Sequence, residues 1–237
     1  MIVVFSGIGV GIKFISNPFG APINLDFALL GVPASGIFIF LWMLGMMFTT
    51  KFLDGLDGLV AGIGLIAGLT LFALSLTDSV QQPITASLAI ILVGALAGYL
   101  VYAFHPASIF LGEGGSTLIG FILGVLSVIL GGKIATALLV MGIPILDVAW
   151  VILQRLWSRK SPFRGDRLHI HFKMIDLGFS QRQIALLLYA LSAGFGFTAV
   201  FLQSMGKLVA LGILFAIMGV MVLGVLYAYK RKQSIND

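Results

Sequence analysis

The sequence predicts an all-α fold, a polytopic membrane helix bundle of about seven spans plus a short N-terminal apolar segment. Three observations carry that prediction. Only 10% of the 237 residues are Asp, Glu, Lys or Arg, where a soluble domain carries about 25%. The mean hydropathy is +1.12. Uncharged runs such as 84–104 and 208–229 reach the roughly 20 residues that a helix needs to cross a hydrocarbon core.

Taken in order, residues 1–15 are apolar but lack a basic leader and a small-residue cleavage site, which argues against a signal peptide. As a span this segment is short, so it reads either as a re-entrant or interfacial start or as the trailing piece of a longer helix. Seven apolar segments follow, near 37–53, 57–76, 84–104, 115–130, 133–154, 183–203 and 207–229. If they alternate across a bilayer, the loops near Lys51, from His105 to Gly114 and from Arg155 to Arg182 share one side with the tail Lys230-Arg231-Lys232. Of the 14 Lys and Arg, only Lys13, Lys133 and Lys207 fall elsewhere. The positive-inside bias therefore places the shared side in the cytoplasm. Thirty glycines suit close helix approach in a membrane. The absence of cysteine excludes disulfides and thiolate metal sites. The formal charge of +5 sits in loops between spans, favouring anionic lipid and phosphate-bearing substrates over nucleic acid. No internal repeat of the kind that builds many transporters is present. One integral-membrane domain, 1–237, with a basic cytoplasmic loop at 155–182 within it, accounts for the whole pattern.

Three loop motifs are candidates for chemistry. In Asp54-Gly55-Leu56-Asp57-Gly58, the two carboxylates would share a face if the segment made a helical turn. Two anions at a membrane boundary call for a cation, a base or a proton between them. A solvated Asp-Gly turn is the plainer reading. In Gly112-Glu113-Gly114-Gly115-Ser116, glycines ahead of a helix allow backbone N–H groups to turn toward an anion, with Ser116 as the expected N-cap. The alternative is simply a capped helix start. The third motif runs from Ser161 to Lys173. There Arg164, Arg167 and Lys173 suit phosphate, and His169 and His171 would project the same way from an extended segment. A zinc pair lacks the further His or Cys of a tetrahedral site, so phosphate contact or acid/base work fits better; a headgroup-binding loop is the plainer reading. Asp147, following Pro144 inside a span, reads equally as a functional acid and as a buried partner for a loop arginine. His105-Pro106 reads mainly as a helix stop.

In this order, and over nearly the whole chain, these motifs resemble the polyprenyl-phosphate N-acetylhexosamine-1-phosphate transferases of the glycosyltransferase family 4 type. The nearest branch resembles the bacterial UDP-N-acetylglucosamine:undecaprenyl-phosphate N-acetylglucosamine-1-phosphate transferases, and Ser161 to Gly178 is the most specific match. The resemblance implies transfer of a sugar-1-phosphate from a UDP-N-acetylhexosamine to a polyprenyl phosphate, with release of UMP. It implies Mg²⁺ or Mn²⁺ held by Glu113 and Asp57, and Asp54, Asp57, His169 and His171 as catalytic residues. Lys51, Gly114, Ser116, Arg164, Asp166 and Arg167 would bind substrate. It further implies the bacterial inner membrane, cytoplasmic site loops, a homodimer, and a product that starts a cell-envelope polysaccharide such as lipopolysaccharide or teichoic acid. The chain departs from the family pattern at Lys51 (usually Asn), Glu113 (usually Asp) and Phe172 (usually His). Family members also carry further spans and an Asp-Asp pair before the point matching Met1, so an N-terminally truncated record is expected. The departures keep open a second reading, a catalytically degenerate membrane subunit or paralogue. A third is an ion-coupled transporter using Asp54, Asp57 and Asp147.

Overall fold

The computed structural model describes residues 14–15, 23–25, 27–29, 32–130, 133–159 and 169–236. Two short antiparallel pairs come first, β1 (Phe14–Ile15) with β2 (Ile23–Asn24) and β3 (Ala28–Leu29) with β4 (Val32–Pro33). Each ladder is two residues long, and everything that follows is helical: α1 (Ala34–Leu53), α2 (Leu59–Ser75), α3 (Pro83–Ala103), α4 (Gly112–Ile129), α5 (Ile134–Val140), α6 (Gly142–Trp157), α7 (Ile170–Leu177), α8 (Gln181–Phe201) and α9 (Ser204–Asn236).

All seven apolar segments fall on helices. Five helices (α1, α3, α4, α8 and α9) are long and apolar enough to cross a membrane, and the count reaches six if α5 and α6 together make one span. The segment at 57–76 became α2, a 17-residue helix. The segment at 133–154 is not the straight span expected: α5 and α6 meet at 81° around Met141. Pro144 supplies a cause, since it has no N–H to donate to Val140 and so cannot continue the ladder from α5.

The fold is an all-α polytopic membrane bundle with α2 at its centre. Leu59, Ile63, Ala67 and Leu71 of α2 are buried with Leu92 and Leu96 of α3, Ile119 and Leu123 of α4, and Ile184 and Leu188 of α8. Outer faces are the reverse. Ile84, Ile91 and Val101 of α3, and Val220 and Leu223 of α9, are largely exposed aliphatic side chains, as lipid solvent requires. Small residues set the helix spacing. A Cβ on Gly120 of α4 would lie 2.5 Å from the backbone oxygen of Met46, so α1 and α4 can approach this closely only through glycine. Trp42 Nε1 donates to Ser127 Oγ across the same pair at 3.0 Å.

Helix ends bring the motifs together. α8 begins with a capping box: Gln183 N–H donates to Ser180 Oγ at 3.3 Å, and Ser180 N–H to Gln183 Oε1 at 2.9 Å. That fixed start aims Gln181 and Arg182 at the loops ending α1 and α3. At the opposite end, Gln82 N–H donates to the Ser75 oxygen at 2.9 Å to close the α2–α3 hairpin. There too Lys207 Nζ at the start of α9 donates to Thr136 Oγ1 at 2.7 Å.

Candidate functional site

The stretch from Asp54 to Gly58 is a non-helical turn between α1 and α2, so its two aspartates do not share a helical face as expected. The chain must reverse sharply here. Gly55 N–H donates to the Leu53 oxygen at 2.7 Å, Leu56 tucks into the core, and Gly58 takes φ +72°. A Cβ at Gly58 would also sit 3.1 Å from the Ala103 oxygen, so glycine is required both for conformation and for space. Tyr189 of α8 pins the turn by donating its hydroxyl to the Gly58 oxygen at 2.6 Å. Asp54 lies at the surface of the turn, and partial burial pushes its carboxyl above the usual value. Asp57 is held more firmly. Its Oδ2 lies 2.6 Å from His105 Nδ1 and accepts the Ala107 N–H at 3.2 Å, while its own N–H reaches Gln181 Oε1 at 3.4 Å.

His105 is the partner that the sequence marks mainly as a helix stop. It does end α3, but it also turns its imidazole onto Asp57, and Arg182 Nε donates to its backbone oxygen at 2.8 Å. The available signal was a histidine at the end of a span, seven residues before Gly112 of the glycine motif.

The glycine motif is the first turn of α4 rather than a loop before it. The helix starts at Gly112, which takes φ +69°, with Leu111 at the N-cap position. Ser116 is therefore not the N-cap: it is fully buried, and its hydroxyl donates to the oxygens of Gly112 (3.0 Å) and Glu113 (3.2 Å). Those bonds take up its donor within the helix. Gly114 has open space where a side chain would project. Glu113, in the acid-favouring first turn of the helix, forms an ion pair with Lys51 from the last turn of α1. Its side chain is 71% exposed and that of Lys51 34%.

The histidines do not lie on an extended segment. His169 is the N-cap residue of α7 and His171 lies within its first turn, a helix closed by Gly178 at φ +107°. Both rings gather on Asp147. His169 Nδ1 lies 2.9 Å and His171 Nδ1 3.9 Å from Asp147 Oδ2, and Ile170 N–H donates to Oδ1 at 3.0 Å. The rings stack at 5.5 Å with 12° between planes. His171 Nε2 is buried without a hydrogen-bond partner and faces Gly55, where a Cβ would be 2.6 Å away. Burial depresses the His171 pKa to about 4, against a smaller raising effect of Asp147, while His169 adds to the depression. The ring is neutral at physiological pH. Phe172, in place of a third histidine, packs against it at 4.4 Å. Arg164, Asp166 and Arg167 lie outside the described residues.

Among the described residues, no three His, Asp or Glu side chains gather into a ready metal cage. The donors at this end nevertheless suit a hard cation shared with substrate. Mg²⁺ commonly takes one or two carboxylates and completes its shell with phosphate oxygens and water. Glu113, exposed beside the open face of Gly114, fits that mode, with Asp57 as a second carboxylate at the same end of the bundle.

Fold and site together define a class: an integral-membrane bundle with acidic, basic and histidine side chains collected at one end of its helices. The chain belongs to glycosyl transferase family 4, whose sequence pattern matches residues 1–131. It is 30% identical over 181 residues to the probable undecaprenyl-phosphate N-acetylglucosaminyl 1-phosphate transferase of Bacillus subtilis (strain 168), covering 74% of this chain and 50% of that protein. It is 36% identical over 163 residues to the decaprenyl-phosphate N-acetylglucosaminephosphotransferase of Mycolicibacterium smegmatis, covering 59% of this chain and 40% of that one. A phospho-N-acetylmuramoyl-pentapeptide-transferase of Staphylococcus haemolyticus is 31% identical over 167 residues, covering 68% of this chain and 51% of its own. The chain thus spans about half the length, or less, of these curated relatives.

Proposed function

We propose that this chain belongs to an enzyme that transfers N-acetylhexosamine-1-phosphate, with N-acetylglucosamine as the sugar, from a UDP-sugar to undecaprenyl or another polyprenyl phosphate. The reading rests on the meeting, at one end of the bundle, of the Asp57–His105 pair, the Lys51–Glu113 pair and the histidines held on Asp147. The names of the relatives supply the acceptor lipid and the sugar. The side is cytoplasmic by the charge bias of the loops, and the membrane is the bacterial inner membrane. The product would initiate a cell-envelope polysaccharide.

An oxygen of the lipid phosphate attacks the β-phosphorus of the UDP-sugar, and the bond from that phosphorus to the bridging oxygen breaks, releasing UMP. In such a transfer the protein chiefly positions the phosphates and neutralises charge. Bound Mg²⁺ or Mn²⁺, held by Glu113 and Asp57, would neutralise the diphosphate. Asp57, aligned by His105 and the Ala107 N–H, would offer that cation a carboxylate of fixed direction. Lys51 supplies a cation that can turn from Glu113 to a phosphate oxygen. Neutral His171 offers an otherwise unpaired Nε2 beside the acidic turn. Arg164 and Arg167 add charge from the basic loop.

The test is transfer of label from UDP-N-acetylglucosamine to undecaprenyl phosphate by membranes containing the chain, expressed alone and with any in-frame upstream sequence. Transfer that EDTA abolishes is the expected result; its absence in both preparations overturns the reading. One observation favours a degenerate subunit instead: a lysine already occupies the Glu113 carboxylate. In that case Glu113→Ala leaves pathway output unchanged.

A further inference from the structure

We propose that Asp147 is a positioning residue that fixes which nitrogen of His169 carries the proton and holds the histidine loop against the acidic turn. The inference deepens the transferase reading and rests on it for its consequence, although its geometric part stands alone.

Asp147 is 4% exposed and lies in α6, among the buried Ile143, Val148 and Val151. A carboxylate in such surroundings is tolerable only if its oxygens receive hydrogen bonds. Both do. Oδ1 accepts the first N–H of α7, from Ile170 at 3.0 Å, where the helix dipole also favours an anion. Oδ2 lies 2.9 Å from His169 Nδ1. An ionised carboxylate only accepts, so the His169 proton must sit on Nδ1. Its Nε2 is then the nitrogen left to accept from, or take a proton out of, whatever meets the loop. The same carboxylate oxygen lies 3.9 Å from His171 Nδ1, and the stacked His171 ring rests its Nε2 against Gly55 of the acidic turn. Asp147 reaches this place because α5 and α6 break at Met141. The 81° bend starts a new helix at Gly142, and Asp147 lies in its second turn.

Altering a carboxylate that orients a metal-ligating histidine through its second nitrogen typically costs about 10- to 100-fold in affinity or activity, and a loss of that order is expected here. Asp147→Asn is the informative variant. Its amide oxygen can accept from Ile170 while its NH₂ donates to His169 Nδ1, so the packing survives and the His169 proton moves to Nε2.

The chain has three histidines, so ¹⁵N-histidine NMR of the detergent-solubilised chain, assigned by His105→Gln and His171→Gln, reads the tautomer of His169. The wild-type chain should show a protonated Nδ1 and Asp147→Asn a protonated Nε2. In the transfer assay, kcat should fall about 10- to 100-fold in Asp147→Asn, with KM for the UDP-sugar within about twofold and Asp147→Glu recovering part of the loss. A wild-type His169 protonated on Nε2, or an Asn variant with unchanged tautomer and kcat, overturns the proposal. Wild-type membranes that transfer nothing, both with the chain alone and with any in-frame upstream sequence, while His169 keeps its proton on Nδ1 overturn the transferase reading and leave the Asp147 clamp standing. The wild-type spectrum decides the clamp even if a variant fails to fold.

Discussion

Asp147 and Glu113 both pair with a nitrogen from another segment, yet under opposite conditions. Asp147 is 4% exposed, accepts from both His169 and the start of α7, and is flanked along α6 by buried Ile143, Val148 and Val151. Glu113 is 71% exposed at the side chain and meets a flexible lysine. The first pair is costly to break, because its donors have no water to turn to. The second is nearly free to break, because water screens both charges. In the proposed transferase the first would hold loops in place and the second would exchange partners when a substrate arrives.

The widest gap between the two should be in stability. Asp147→Leu leaves His169 Nδ1–H and Ile170 N–H buried without an acceptor, and about 3 kcal/mol of stability should be lost. Glu113→Leu should cost under about 1 kcal/mol. Thermal unfolding in one detergent compares them, and equal losses would erase the distinction. Activity should rank the exposed residue differently: Glu113→Ala should lower transfer about 100-fold, a size typical of a group acting on transition-state charge, while its melting temperature stays near that of the wild type. Radiolabel transfer at saturating Mg²⁺ checks this.

The sequence announced one of these carboxylates far better than the other. Glu113 stands among glycines at a span start, so its place at the exposed first turn of a helix was legible. Asp147 was visible as an acid inside a span, but its partners come from the start of α7, 22 and 23 residues later, and pairing over that separation leaves no local mark. The spans were legible because crossing a hydrocarbon core demands long apolar runs. The break at Met141 was not, since hydropathy continues through it and only Pro144 hints at a new helix. α7 was missed because eight residues in a basic loop carry little periodicity, although Ile170 and Met174, four apart and both buried, mark one face of it. Ser116 looked like a cap only because Gly112, at φ +69°, starts the helix a turn earlier.

Acid sharpens the comparison by acting on the buried side through His171. His171 has a folded pKa of about 4 against 6.5 for the free side chain. Below 6.5 the unfolded chain takes up a proton that the folded chain refuses, so stability falls as pH drops from 6.5 toward 4. Between pH 7 and pH 5 the loss should approach about 2 kcal/mol. Melting temperatures of the wild type and His171→Gln across that range measure it. A wild-type slope no steeper than that of the variant would mean that the His171 ring is not held neutral by the fold.

The smallest effect belongs to the exposed pair and bears on how it works. If Glu113 holds the proposed divalent cation, Lys51 competes with it for one carboxylate and the pair energy is a cost to metal binding. An exposed ion pair is worth about 0.2–1 kcal/mol, and releasing it in Lys51→Asn should therefore lower the Mg²⁺ concentration for half-maximal transfer by a factor of about 1.4 to 5. If Lys51 also turns to a phosphate, the same variant should raise KM for the UDP-sugar, moving the two parameters in opposite directions. A Mg²⁺ titration at several UDP-sugar concentrations separates these effects. Unchanged Mg²⁺ dependence would mean that Lys51 and the cation do not compete for Glu113.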